Sequence, residues 1–261
     1  MIRLLTAADI PRAKQLSDAA GWNQTQNDWR LLIEIAPENC FGYDLDGCLV
    51  ATTTLVSYGK TMAWIGMVLT HPAYRGRGIA RQLVRKALEV ADARKIPTVK
   101  LDATDAGRPL YESVGFVEEQ PVERWSRDGA AGTRREYPAG PIPNYDERAF
   151  GADRTKVLER LANGGTLLLA DGGYVMSRPG AQAGYIGPCV ASSPDAAQQL
   201  IEAVLDGWQY LDILPGSSNV VGVAQRLGFE RVRRLTRMRR GRGLCPADER
   251  NVYAIAGFEW G

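Results

Sequence analysis

The sequence predicts an α/β (α+β) fold made of two similar halves. Three observations carry that reading. Apolar residues switch repeatedly between the two-residue period of strands and the 3.6-residue period of helices. A Gly-, Pro- and Ala-rich stretch, residues 128–143, divides the chain near its middle. Short motifs also recur in the same order on either side of it. Trp64-Ile-Gly66 corresponds to Tyr185-Ile-Gly187, Leu101-Asp102 to Leu211-Asp212, and Gly115-Phe-Val-Glu118 to Gly228-Phe229-Glu230. Such ordered self-similarity reads as a divergent duplication. The expected organisation is a first domain over 1–127, a linker over 128–143 and a second domain over 144–261.

Each element has a local cause. Ile2–Leu5 reads as a strand, and Thr6-Ala-Ala-Asp9 offers caps for a helix reaching Ala20. A second helix over Asn27–Ile35 stops before Pro37. Strands over Cys40–Leu45 and Cys48–Tyr58 flank Asp46-Gly47, a strong hairpin turn signal. Thr61–Thr70 is an apolar strand, Ile79–Arg94 an amphipathic helix, and Val99–Ala103 a further strand. A short helix is predicted over Gly107–Val114, then separate strands near Phe116–Glu119 and Val122–Arg127. Beyond the linker, the pattern predicts one helix over Arg148–Ala162 and a hairpin of Thr166–Ala170 with Gly173–Arg178. A strand over Ala183–Val190, a helix over Pro194–Leu205 and a strand over Gln209–Leu214 follow, and the last long strand ends near Arg239.

The 261 residues balance 32 basic against 30 acidic side chains, a net charge of +2. That balance argues against a general nucleic-acid binder, which needs a basic excess on one face. The basic run Arg231–Arg240 fits either a strand with one solvated face or a nucleic-acid contact; its alternation favours the strand. Cys40, Cys48, Cys189 and Cys245 include no C-x-x-C pair, and there is a single histidine, so a thiolate or imidazole metal centre is not expected. Scattered thiols, a leading segment without an apolar signal core and no apolar run near the ~18 residues of a membrane span point to a cytoplasmic protein.

The chemistry concentrates in Val68-Leu-Thr-His-Pro-Ala-Tyr-Arg-Gly-Arg-Gly-Ile-Ala80, which leaves a strand, crosses a glycine loop and enters a long helix. Gly76 and Gly78 let backbone approach a ligand closely, and amides at a helix start attract anions. Arg75, Arg77 and Arg81 add full positive charges, so a pyrophosphate is the natural guest. No G-x-G-x-x-G follows an N-terminal strand and no Gly-Lys-Ser/Thr is present, which removes the common nucleotide folds. What stands there is Arg75-x-x-Gly78-x-Ala80, followed about thirty residues on by Leu110-Tyr111-Glu-Ser-Val-Gly-Phe116.

This pattern resembles the GNAT superfamily, the GCN5-related N-acetyltransferases, across most of residues 1–127. The resemblance implies two GNAT-like domains, each a mixed, mostly antiparallel sheet flanked by helices, and acetyl-CoA as cofactor. It implies that backbone groups of Val68, Leu69 and Thr70 pair with the pantetheine arm. Amides from Gly76 through Arg77, Gly78, Ile79 and Ala80 to Arg81, with Arg75, would hold the pyrophosphate. An amine would attack the thioester carbonyl, a backbone N–H near Val68 would stabilise the growing oxyanion, and Tyr111 would protonate the leaving thiolate. Tyr111 could equally be an amphipathic residue of a helix–sheet seam. Many relatives carry Asn where Thr104 stands, seven residues before the tyrosine.

The amine must first lose its proton. Asp102 is the candidate base or water holder, with a cap or loop contact as its structural alternative; Glu34 and His71 are weaker candidates. The second half lacks the glycine pair and arginine after Ala191, and Ala224 stands where Tyr111 would. Gly187-Pro-Cys-Val-Ala191, Arg237-Met-Arg-Arg-Gly241 and Phe150-Gly-Ala-Asp-Arg154 resemble a tandem GNAT subfamily. That resemblance implies an active first domain and a degenerate second one walling the acceptor pocket, with Asp153 and Arg154 either structural or lining it. The expected acceptor is a small-molecule amine, or else a peptide or protein amine; a non-catalytic acyl-CoA sensor is the rival reading.

Overall fold

A computed structural model describes residues 1–132, 140–142, 144–216, 219–242 and 248–261. The first half contributes β1 (Ile2–Leu4), β2 (Cys40–Leu45), β3 (Cys48–Tyr58), β4 (Met62–Thr70), β5 (Thr98–Ala103) and β6 (Val117–Arg127). The second contributes β7 (Thr166–Ala170), β8 (Gly173–Arg178), β9 (Gly184–Ala191), β10 (Gln209–Ile213), β11 (Glu230–Gly241) and β12 (Val252–Ala254). The helices are α1 (Ile10–Ala19), α2 (Gln26–Ile35), α3 (Ile79–Ala93), α4 (Arg108–Glu112), α5 (Tyr145–Phe150), α6 (Thr155–Ala162), α7 (Pro194–Ala203) and α8 (Val220–Arg226).

All twelve strands join one sheet, in the order β1-β2-β3-β4-β5-β11-β6-β10-β9-β8-β7, with β12 against β9. Alternating side chains divide the core between its two faces. Leu55, Ala63 and Ile65 meet the apolar stripe of α3, while Val56 and Trp64 join a cluster with Trp29 of α2 and Leu158 of α6. That second cluster continues through Tyr174 and Met176 of β8, so it is common to both halves. Beyond it, Val175 and Ile186 pack with Leu200 of α7 and Val223 of α8.

The two halves exchange a strand. β6, from the first half, pairs with β10 and β11 of the second; β11 pairs with β5 and β6 of the first. Each inserted strand fills its host's core: Met238 is fully buried among first-half residues, and Trp125 packs with the second-half cluster. Burying a side chain such as Met238 is worth about 1.5–3 kcal/mol. A buried ion pair marks each insertion. Arg237 lies directly across from Asp102 and donates from Nε and Nη2 at 2.9 and 3.0 Å. Arg124 lies across from Asp212 and donates from the same two atoms at 2.8 and 2.7 Å.

Most expected elements form within a residue or two of their predicted bounds, and the differences have local causes. The two strands expected around 116–127 are one strand, β6. Pro121 is tolerated inside it because β10 begins pairing only at Glu123, leaving that stretch with β11 alone as neighbour. The helix expected over Arg148–Ala162 is two, α5 and α6, because Gly151 takes a left-handed φ of 91° and closes the first. The expected capping stretch Thr6–Asp9 forms a 3₁₀ turn over Ala7–Asp9 that leads into α1, with Asp9 at its N-cap. β12 and the segment after it had no counterpart in the sequence reading. Residues 133–139 and 143 of the expected linker, and Cys245, lie outside the described residues.

The fold yields one stability prediction. Asp212→Asn leaves the Arg124 guanidinium buried without its counter-charge, which costs about 3–5 kcal/mol. Chemical denaturation should show that loss, and the double change Arg124→Met with Asp212→Leu should recover most of it.

Candidate active site

The candidate site begins where two strands part. β4 runs parallel to β5 only over Met62–Trp64, paired with Thr98–Lys100. From Ile65 onward β4 pairs with β3 alone, leaving its other edge without a strand partner. A bulge shapes that edge: Leu69 faces Thr52 and Gly66 faces Thr54, so Met67 and Val68 together oppose Thr53. Met67 adopts φ 51°, a left-handed conformation costing a non-glycine residue about 1–3 kcal/mol. Thr52 Oγ1 donates to the Met67 carbonyl at 2.8 Å and helps hold it there. Strain of this kind re-aims backbone, and Val68 beside it lines a cleft of about 610 Å³.

The loop after β4 ends in a helix start left open. Gly78 stands at the N-cap of α3 with φ 74°, and no side chain caps the helix. The amides of its first turn therefore keep their donors free of intrahelical partners. A Cβ at Gly76 or Gly78 would meet no atom within 4 Å, so the space in front of the loop is open. Arg75, Arg77 and Arg81 are exposed around it; Arg75 Nε also donates to the Thr70 carbonyl at 3.1 Å. These residues fit a doubly phosphorylated linker: free amides, positive charge, no acid in the first turn and room to enter.

The equivalent places in the second half are closed. β9 parts from β10 after Ile186 and carries its own bulge, but β12 occupies the gap, pairing with Cys189 and Val190. The Ile255 carbonyl that follows lies where a Cβ on Gly187 would be only 2.0 Å away. α7 is capped by Ser193 Oγ, which accepts from the Ala196 amide at 3.2 Å, and Asp195 sits in its first turn. A helix start capped by a serine hydroxyl and carrying an acid in its first turn is a poor place for phosphate.

The segment after β12 crosses back to the first half and closes one side of the open cleft. Trp64 Nε1 donates to the Phe258 carbonyl at 2.8 Å, Tyr58 Oη to that of Trp260 at 2.5 Å, and Arg154 Nη1 to Gly261 O at 2.9 Å. Gly66 makes the crossing possible, since a Cβ there would stand 3.0 Å from the Glu259 backbone. Glu259 is thereby buried in the cleft wall. Its Oε2 accepts from Gln24 Nε2 at 2.9 Å, and Arg178 Nη2 lies 3.4 Å from its Oε1. Burial raises the Glu259 carboxyl above the usual carboxylate range, with Arg178 pulling against it. Gln24 Oε1 and Thr70 Oγ1 also line the cleft and are buried without a hydrogen-bond partner among the described residues. The loop carrying Gln24 is pinned to the second half by Asn23, which bonds Gln182 and Ala183.

The structure brings the sequence-predicted residues Val68, Leu69, Thr70, Arg75, Ala80, Asp102 and Tyr111 to this one cleft. Gly76, Arg77, Gly78, Ile79 and Arg81 form its adjoining loop and helix start. Tyr111 is buried, and its hydroxyl has no protein partner among the described residues; burial pushes its pKa up, keeping the proton on. Asp102 is committed to Arg237 through both oxygens; burial raises its pKa while Arg237 opposes the rise. Glu34 does not face the cleft: it is exposed and lies 3.6 Å from Arg160. His71 caps the turn over Pro72–Tyr74, accepting from the Ala73 amide. Arg154 is structural, buried against Asp146 and Gly261, while Asp153 caps Thr155. Burial pushes the Cys40 thiol up to about 12, which makes it no nucleophile.

Sequence reasoning missed Glu259, Gln24, Arg124, Arg233 and Phe258 as parts of the cleft. The available signal was Gly257-Phe-Glu-Trp-Gly261, two large aromatics around one acid in a short closing segment. Among the described residues no group of three or more His, Cys, Asp or Glu could hold a metal, and no helix is long and apolar enough to cross a membrane.

A strand splayed around a bulge, beside an uncapped glycine-rich helix start, is the geometry expected of an acyl-CoA-dependent transferase. Comparison with known proteins agrees. Residues 8–116 match the Acetyltransferase (GNAT) family and residues 142–254 an Acetyltransferase (GNAT) domain. The chain belongs to the GNAT family of N-acetyltransferases in both halves, and the family transfers an acetyl group from acetyl-CoA to an amine. It is 27% identical over 214 residues to the uncharacterized N-acetyltransferase YitH of Bacillus subtilis, covering 75% of this chain and 74% of that one. A candidate acetyltransferase from Pyrococcus horikoshii superposes with a TM-score of 0.87 at 27% identity, over 100% of this chain and 95% of the other. A tandem GNAT protein of the clavulanic acid biosynthesis pathway shares the fold, with a TM-score of 0.63 at 17% identity over 94% and 99% of the two chains.

Proposed function

We propose that this chain acetylates the primary amine of a small acceptor by direct attack, donor and acceptor meeting in the cleft between β4 and the closing segment. The observation carrying this reading is the open edge of β4 beside the uncapped start of α3. Bound acetyl-CoA supplies an acyl group activated as a thioester. Amides from Gly76 to Arg81, with Arg75, Arg77 and Arg81, hold its pyrophosphate, and the backbone of Val68–Thr70 takes the pantetheine arm as an added strand. The re-aimed Val68 N–H donates to the carbonyl oxygen as charge grows there.

Glu259 and Gln24 orient the acceptor. An alkyl ammonium has pKa ~10.4, so exposing its lone pair at pH 7 costs about 4–5 kcal/mol. Glu259 offers a carboxylate and Gln24 Oε1 a free acceptor at the cleft wall, and Glu259 takes the proton. Tyr111 donates its hydroxyl proton to the leaving sulfur. Asp102 is a positioning residue, holding β5 to β11 through Arg237. Residues 1–127 thus carry the donor site. Residues 144–261 wall the acceptor side and bind no acyl-CoA of their own; β12, the Ser193 cap and Ala224 support that division.

Three measurements test this. Gly78→Glu should weaken CoA binding in calorimetry by about 100-fold or more, through backbone strain and phosphate repulsion; unchanged affinity would remove the site. Tyr111→Phe should lower kcat about 100-fold, read as free-thiol release, and leave CoA affinity intact. CoA binding without turnover on any amine would favour the sensor reading. A base must be deprotonated, so kcat/KM should rise with pH through a Glu259 pKa above the ordinary carboxylate range and fall away below it. Glu259→Gln should abolish that limb and cost about 10²–10⁴ in rate.

A further inference from the structure

The arginines of β11 are mostly spoken for. Arg231 pairs with Glu123, Arg237 with Asp102, Arg239 with Glu119 and Arg240 with Asp92. Arg233 and Arg234 have no acidic partner among the described residues. Arg234 is exposed, whereas Arg233 is half-buried and lines the cleft, on the same side of β11 as Leu235.

Its position carries an electrostatic cost. The residue directly across the ladder is Arg124, and like charges placed opposite one another destabilise a sheet. Arg124 cannot reach for another anion. It is bidentate to Asp212, and its guanidinium lies 4.8 Å from the Tyr210 ring and 4.6 Å from that of Phe258. Burial and then Arg124 push the Arg233 pKa down, with Asp212 opposing. A half-buried cation facing a second cation in a ligand cleft is a cost the fold retains at a place where a guest can relieve it. Glu259 and Gln24, which line the same cleft, have the opposite character and suit an ammonium.

We infer that Arg233 recognises an anionic group, a carboxylate or a phosphate, on the acceptor whose amine is acetylated. The inference rests on the proposed transfer reaction and narrows its acceptor to amines carrying a negative charge. Arg233 is then a specificity residue, distinct from the Arg75, Arg77 and Arg81 cluster at the donor loop.

The test uses amines in matched anionic and neutral forms: amino acids against their amides, and phosphoethanolamine and glucosamine 6-phosphate against ethanolamine and glucosamine. Binding to the protein–CoA complex is measured by calorimetry, and transfer by thiol release. The best anionic member should exceed its neutral partner in affinity and in 1/KM by about tenfold or more. Which pair shows the preference distinguishes carboxylate from phosphate. Arg233→Met should collapse the preference, spare kcat and leave CoA affinity unchanged. Arg233→Lys should keep part of it, and Arg234→Met all of it. Equal affinity within every pair, no binding of any anionic amine, a preference surviving Arg233→Met, or loss of CoA affinity in that variant would each overturn the inference. Arg233-dependent binding without transfer would remove the proposed reaction and leave the anion site standing.

Discussion

Two buried Arg–Asp pairs hold the molecule in the arrangement on which its cleft depends. Each ties a strand from one half to a strand of the other, and each is aligned residue against residue across the ladder. Measured against apolar pairs of the same volume, such bridges add little net stability, yet losing one partner costs several kcal/mol. Their value here lies in register. A β11 slipped by one residue would turn Met238 out of the first-half core and Arg237 away from Asp102. It would also move Arg233 and Leu235 off the cleft face.

The exchange makes the two halves one folding object and leaves them unequal. Both build a strand that splays past a bulge, after Trp64 in one and Ile186 in the other. In the second half the chain fills its own gap with β12, then continues across to the first half and lays Phe258 and Glu259 along the open gap there. One segment thus closes one cleft and furnishes the other. The capped start of α7 and the uncapped start of α3 repeat that asymmetry at the phosphate end. The two GNAT halves are similar scaffolds that differ by a few local choices: a serine against a glycine at the helix start, and a strand beside β9 where the first half leaves an open cleft beside β4.

What the sequence made legible was local. The Asp46-Gly47 hairpin, the amphipathic stripe of α3 and the glycine loop before it each follow from neighbours within a few residues, and they form where expected. The side of the cleft built from β4, the glycine loop and the start of α3 was readable for the same reason, since these are contiguous. The opposing side, built by the closing segment, was not. Gln24 and Glu259 are 235 positions apart and meet only because Gly66 lacks a side chain and three hydrogen bonds draw the closing segment across the sheet. Strand exchange was equally hidden, because β6 and β11 carry ordinary strand patterns that say nothing about which sheet position they take. Asp102 illustrates the limit: its partner Arg237 lies 135 positions away, and no local pattern announces the pair.

The most direct test of this account is a crystal structure of the protein with CoA bound. The account predicts the pyrophosphate on the amides between Gly76 and Arg81, the pantetheine arm against the free edge of Val68–Thr70, and the thiol end near Tyr111, with the gap beside β9 still filled by β12. CoA lodged at the second half, or along a face that leaves the start of α3 untouched, would contradict it.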